Sequence, residues 1–229
     1  MLTIGSLFAG IGGFDRAAEQ VGMRVEWQVE IDRFCNQVLK KHWPSVKRYG
    51  DIQEINPTTL APVDVLCGGW PCQGNSIAGK RKGHSDERSG LFGEILRLIK
   101  GMDSRPRFLV LENVPGLVSV NGGRDFACVV GELRRRGYVG CVRLLDAQYF
   151  GLAQRRQRLF FVCGLGAEGL RAVQLVLEGG RRYPASRQES GTRITPSVTC
   201  GPPFSRTGNE RIEIDAIVAG TLGGGSGSR

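Results

Sequence analysis

The stretch Leu2-Thr3-Ile4-Gly5-Ser6-Leu7-Phe8-Ala9-Gly10-Ile11-Gly12-Gly13-Phe14 passes from an apolar run through a glycine cluster into a helix-like pattern. Residues 14–21 continue that pattern, and Gly22 is placed to end it. A second strand over 25–31 leads to Asp32, a good N-cap, and to a helix running through Lys41, with Pro44 marking its end. Strand, glycine turn, helix and strand make a βαβ unit.

Outward from this unit the alternation continues. Residues 63–67 read as a strand, 91–100 as an amphipathic helix and 108–111 as another strand. A helix over 125–136 stops at Gly137, after which 139–145 and 159–163 read as two strands with no helix-length segment between them. The expected fold is α/β: a doubly wound, mostly parallel sheet ending in an antiparallel hairpin. Beyond Gly164 the pattern weakens. Gly, Pro, Ser and Arg dominate 179–204, and Gly223-Gly224-Gly225-Ser226-Gly227-Ser228 has flexible-linker composition. The expected organisation is one folded unit over 1–165 and a weakly patterned region over 166–229, with no internal repeat.

Composition narrows the class. The 229 residues are 41% hydrophobic and 23% charged, ordinary for a globular protein. The N-terminus has no basic segment followed by an apolar run and cleavage site, and no stretch approaches membrane-spanning length, so a soluble, cytoplasmic protein is expected. Seven cysteines form no CxxC pair, and His42 and His84 lie near no cysteine pair. Reduced thiols and no metal are the expectation. The net charge of +9 makes a polyanion the first partner to consider. Arg134-Arg135-Arg136 reads as a solvated helix face, whereas Lys80-Arg81-Lys82 and Arg155-Arg156 with Arg158 lie in turn-like sequence suited to nucleic-acid contact.

Four motifs carry chemistry. Gly10-Ile11-Gly12-Gly13 lets backbone approach a ligand and presents amides at a helix N-terminus, and Glu30 at the end of the second strand is positioned to accept from ribose hydroxyls. Asp51, after Gly50, suits the adenine end of the same ligand. An adenosine-containing cofactor follows, with NAD and S-adenosylmethionine both open. Next, Gly68-Gly69-Trp70-Pro71-Cys72-Gln73-Gly74-Asn75-Ser76 follows a buried strand at the edge where open α/β sheets bind ligands. A cysteine between proline and glutamine in a glycine-rich loop is badly placed for packing and better read as a nucleophile. The third motif is Glu112-Asn113-Val114, for which a turn cap is the competing reading, and the fourth is Gln154-Arg155-Arg156-Gln157-Arg158.

In order and spacing from residue 2 to residue 164, this set resembles the DNA cytosine-5 methyltransferases of bacteria and their phages. The resemblance implies a methyltransferase-type Rossmann fold, S-adenosyl-L-methionine as cofactor and double-stranded DNA as partner, with a monomer as the default state. It carries over Phe8, Ala9, Gly10, Ile11, Gly12 and Gly13 as the cofactor loop, with Glu30 and Ile31 on the ribose and adenine. Asp51 and Ile52 then stand at the adenine ring, Gly69 and Pro71 beside the methionine moiety, and Leu91 in the Ser89-Gly90-Leu91-Phe92 motif. Cys72, Glu112, Arg156 and Arg158 match catalytic positions, and Gln73, Ser76, Lys80 and Arg155 are expected to contact DNA.

The chemistry explains the set. Carbon 5 of cytosine is a poor nucleophile, so Cys72 adds at carbon 6 and turns the ring into an enamine. Glu112, protonated in a water-poor pocket, donates to ring N3, while Arg158 and Arg156 hold O2 and the neighbouring phosphate through forked donors. The target base must first be flipped out of the duplex.

The sequence departs from the family at Asn75, where an aromatic residue is usual, and near Ala153, where proline is usual. The family's later arginine-containing and Asn-Ser-Val-like segments are not found before Arg229, so the chain reads as the N-terminal, catalytic and cofactor-binding part of a longer enzyme, with 166–229 a partial target-recognition or linker region. The alternatives are an inactive remnant that binds DNA or cofactor, an RNA cytosine-5 methyltransferase, and an NAD-dependent oxidoreductase.

Overall fold

The computed structural model describes residues 1–71, 90–182 and 215–218. Strand β1 (Thr3–Leu7) is flanked on both sides by parallel strands, so its apolar run lies in the sheet centre. Helix α1 (Gly13–Gln20) follows the glycine turn and ends at Gly22, whose φ of 77° lets its N–H return to the Glu19 carbonyl while Met23 N bonds Ala18 O. Strand β2 (Arg24–Val29) pairs parallel with β1, and α2 (Arg33–His42) starts where Asp32 accepts from Cys35 N at 2.8 Å.

A strand too short and polar to show in the sequence, β3 (Lys47–Tyr49), pairs with β2. There follow β4 (Val65–Gly69), α3 (Leu91–Gly101), β5 (Phe108–Asn113), α4 (Arg124–Arg135), β6 (Tyr138–Asp146) and β7 (Gln157–Leu165). As expected, β6 and β7 pair antiparallel, and β7 inserts between β5 and β6. With β8 (Asp215–Val218) antiparallel to β6, the sheet order is β3-β2-β1-β4-β5-β7-β6-β8. The direction of winding reverses between β1 and β4, which opens a crevice at their carboxyl ends.

Strand alternation gives the sheet two cores. Leu7, Trp27, Leu66, Leu109 and Leu111 pack with Ile95, Leu98 and Ile99 of α3 and Val129 and Leu133 of α4. Ile4, Val25, Val65 and Cys67 pack on the opposite face with Ala18 of α1 and Leu39 of α2. The result is a three-layer α/β/α arrangement.

Helix α5 (Ala167–Arg182) lies where the sequence shows little pattern. It docks through glycines, which are poor helix formers and so conceal it. A Cβ on Gly169 would come within 2.4 Å of the Val139 carbonyl, and one on Gly164 within 2.6 Å of the α5 backbone. Among the described residues no helix is long and apolar enough to cross a membrane.

Candidate active site

The chain leaving β1 turns through Phe8 and Gly10, both at positive φ (51° and 56°), before Gly12 caps α1 at φ 91°. Gly12 is required twice over. Its backbone is left-handed, and a Cβ there would meet the Trp43 ring at 2.3 Å. Ala9 N donates to Val29 O at 3.0 Å, and Gly10 N donates to Glu30 Oε2 at 2.7 Å. The other oxygen, Oε1, accepts from Asp32 N at 2.7 Å, so one carboxylate ties the glycine loop to the start of α2. This bond unites two motifs separated by twenty residues in sequence.

Around Glu30 the surface is apolar and open. Ile11 and Ile31 are 62% and 71% exposed, and nothing lies within 4 Å of a Cβ built on Gly10. Asp51 caps a 3-10 turn (Ile52–Glu54) by accepting from Gln53 N at 2.9 Å, with Ile52 buried beneath it. A carboxylate beside exposed aliphatic side chains and a side-chain-free loop suits a ligand that combines hydroxyls with an apolar ring. The donor set therefore fits the adenosine part of S-adenosylmethionine. Leu91 begins α3 and packs partly against the main core.

At the carboxyl ends of β4 and β5 stands a second group. Glu112 Oε1 lies 2.7 Å from Arg158 Nε, both side chains about one-fifth to one-quarter exposed at 21% and 25%. Glu112 is thus paired with Arg158 at a partly exposed strand end, where the sequence predicts a protonated acid in a water-poor pocket. Its partner strand makes the space, since Gly69 is the register partner of Glu112 and a Cβ on Gly69 would come within 2.5 Å of Glu112 Oε2. The next residue, Asn113, is 1% exposed, and its Nδ2 donates to the Trp70 carbonyl at 3.0 Å while its Oδ1 accepts from Val114 N at 2.8 Å. The Val114 bond is local and caps no helix, whereas the Trp70 bond is a long-range tether that holds the strand exit leading into Pro71.

Cys72, Gln73, Ser76 and Lys80 lie outside the described residues. Cys67, in contrast, is fully buried in β4, and burial pushes its thiol far up, which leaves it inert at neutral pH. Arg155 and Arg156 are exposed in the β6–β7 connection. The Arg156 backbone N–H donates to Asp146 Oδ1 at 3.1 Å. Asp146 is itself buried and also accepts from Gln148 N at 3.2 Å, so it clasps this connection. Sequence reasoning missed Asp146. The only signal was an acidic residue at the end of a strand before a turn.

Beneath the glycine loop a buried polar cluster joins α1 to β1 and β2. Gln28 Nε2 donates to Asp15 Oδ1 at 2.9 Å, while Asp15 Oδ2, Gln28 Oε1 and Ser6 Oγ have no partner among the described residues. Burial raises the Asp15 carboxyl above its ordinary value, opposed by the Gln28 hydrogen bond. Among the described residues no cluster of His, Cys, Asp and Glu can hold a metal ion.

Comparison with known proteins gives the family and the fold. A family model for C-5 cytosine-specific DNA methylase matches residues 2–192. Type II methyltransferase M.HhaI of Haemophilus parahaemolyticus is 34% identical over 157 residues, which cover 69% of this chain and 47% of that protein. Type II methyltransferase M2.BsuMI of Bacillus subtilis (strain 168) is 37% identical over 162 residues, 70% of this chain and 41% of the relative. The chain thus spans less than half the length of these relatives. Among solved structures, the Dnmt2 methyltransferase of S. pombe superposes with a TM-score of 0.63 at 20% identity, covering 82% of this chain and 57% of the other. A prophage-encoded putative DNA modification methyltransferase from E. coli gives 0.58 at 22% identity, over 75% and 48%. These superpositions show the shared fold.

Proposed function

This chain belongs to the C-5 cytosine-specific DNA methylase family, and we propose that it carries the catalytic part of an enzyme that methylates carbon 5 of a flipped-out cytosine in double-stranded DNA. The observation that carries this reading is a convergence on one sheet edge. The Glu30-held glycine loop, the Glu112–Arg158 pair and the Asn113-tethered exit toward Pro71 and Cys72 all lie at the carboxyl ends of β1, β2, β4 and β5 or beside them.

S-adenosylmethionine, held by the loop of Phe8 to Gly13 with Glu30, Ile31, Asp51, Ile52, Gly69, Pro71 and Leu91, supplies an electrophilic methyl group. The chain's own residues prepare the base. The Cys72 thiolate adds to carbon 6 of cytosine, and the ring's electrons move toward carbon 5 and N3. Glu112 takes up a proton as the base approaches and shares it with N3, which drains the charge that addition creates. Arg158 stays beside it and, with Arg156, offers guanidinium donors to cytosine O2 and the adjacent phosphate. After methylation the carbon-5 proton passes to water, the electrons of that C–H bond re-form the double bond between carbons 5 and 6, and the Cys72 sulfur departs as thiolate. Gln73, Ser76, Lys80 and Arg155 contact the DNA, and the protein acts as a cytoplasmic monomer.

The test is a covalent trap. DNA carrying 5-fluorocytosine at the target site cannot lose the group at carbon 5, so it is expected to remain attached to the Cys72 peptide when S-adenosylmethionine is present. Cys72→Ser should trap almost nothing, whereas Cys67→Ser, which changes an inert core thiol, should trap normally. Attachment through Cys67, or normal methylation without Cys72, overturns the assignment.

A further inference from the structure

Arg97 lies on α3, outside the four motifs, yet each of its three guanidinium nitrogens makes a hydrogen bond. Nη2 donates to the Ile52 carbonyl at 2.7 Å, Nη1 donates to the Ile55 carbonyl at 2.8 Å, and Nε pairs with Glu94 Oε2 at 2.6 Å. Glu94 is buried on the same helix and compensates the charge. The two carbonyls bracket the 3-10 turn that Asp51 caps. One planar fork therefore spans from α3 to both ends of the turn.

Hydrophobic burial already holds this turn to the body of the protein, since Ile52, Ile55 and Leu60 are 3%, 7% and 2% exposed. What the fork adds is direction. Apolar contacts are non-directional and tolerate sliding, whereas two hydrogen bonds from a rigid guanidinium fix where the backbone of the turn lies relative to α3. Leu91 at the start of the same helix and Asp51 with Ile52 on the turn are the walls assigned above to the cofactor. A strut that fixes the turn against α3 fixes where these groups stand relative to one another.

We propose that Arg97, oriented by Glu94, is a positioning residue for the adenine side of the cofactor site, so that it governs affinity for the adenosine ligand and leaves the chemical step untouched. This rests on the S-adenosylmethionine reading above. The hydrogen-bond partners of Arg97 are Glu94 and the Ile52 and Ile55 carbonyls, so it acts through the turn.

The experiment measures S-adenosylmethionine and S-adenosylhomocysteine binding by calorimetry for the native chain and for Arg97→Met, Arg97→Lys and Glu94→Gln. It adds KM and kcat for methylation where turnover is measurable. Arg107→Met serves as a control, because Arg107 pairs with Asp64 and Glu168 away from this site. Arg97→Met is expected to weaken both ligands about tenfold or more and to raise KM for the cofactor with kcat and the KM for DNA nearly unchanged. Arg97→Lys, which keeps charge but loses the fork, should recover only part of the affinity. Arg107→Met should change neither. If the native chain binds neither ligand, the cofactor reading falls and this inference with it. If it binds them and Arg97→Met binds equally well, or if the loss appears in kcat at saturating cofactor, the positioning role alone is refuted. Should Arg97→Met fail to fold, Arg97→Lys and Glu94→Gln decide, and unchanged cofactor affinity in both refutes the proposal.

Discussion

Gly69 and Glu112 face each other across β4 and β5 so closely that a single added Cβ would stand 2.5 Å from the Glu112 carboxylate. The glycine is therefore a vacancy that the acid fills. Gly69→Ala is expected to displace the carboxylate and break its 2.7 Å pairing with Arg158, with a loss of about a hundredfold in turnover for a displacement on the order of 1 Å. Thermal melting should move little, because the site is a partly exposed strand end. Undiminished methylation by the alanine variant would show that Glu112 does not need this place.

Asn113 is the buried tether between β5 and the strand exit. Asn113→Ala leaves the Trp70 carbonyl and the Val114 N–H without their partners, at a cost of about 1–3 kcal/mol in stability for buried polar groups. Urea denaturation measures that cost. The yield of the fluorocytosine trap should fall as well, because the segment entering Pro71 and Cys72 loses its anchor. A variant of native stability and native trapping would contradict both expectations.

For Glu30→Ala, two backbone donors lose one acceptor group, since the carboxylate receives both Gly10 N and Asp32 N. The loop loses its tie to α2 and the ligand loses its partner for ribose hydroxyls. S-adenosylmethionine affinity should drop by about 1–3 kcal/mol in calorimetry. Binding of NAD and not of S-adenosylmethionine by the unmodified chain would reverse the cofactor assignment.

Asp15 gives a pH dependence. Burial raises its folded-state pKa above the unfolded value, so folding favours the protonated form. Its contribution is fully present below the ordinary carboxylate range and is lost as pH rises through the raised folded value. Asp15→Asn is neutral at every pH and brings an N–H donor to the cluster where Ser6 Oγ and Gln28 Oε1 lack partners among the described residues. Chemical denaturation over a pH series from below the ordinary carboxylate range to about pH 8 should show a smaller fall in stability with rising pH for the variant than for the native chain, with the variant at least as stable at the highest pH. An unchanged pH slope would locate the dependence elsewhere.

The sequence by itself determined those features whose causes are local. The glycine turn after β1, the stop at Gly22 and the Asp32 cap rest on interactions within a few residues, and the hairpin of β6 and β7 joins two strands adjacent in sequence, so local pattern reports them directly. The family followed from motifs kept in order along the chain. Tertiary structure alone decided what depends on strands being side by side. It placed β3 and β8 in the sheet, although neither is long enough to carry a pattern, and it formed α5 because glycines at 164 and 169 let that helix reach β6 and β7. Glu112 was legible as a motif residue, but its pairing with Arg158 was not, because that contact depends on β7 lying antiparallel beside β5. The same holds for Asn113 on Trp70 and for Arg97 on Ile52 and Ile55, bonds across 43, 45 and 42 residues of chain. Such pairs are fixed by sheet order and helix packing, which no short window of sequence contains.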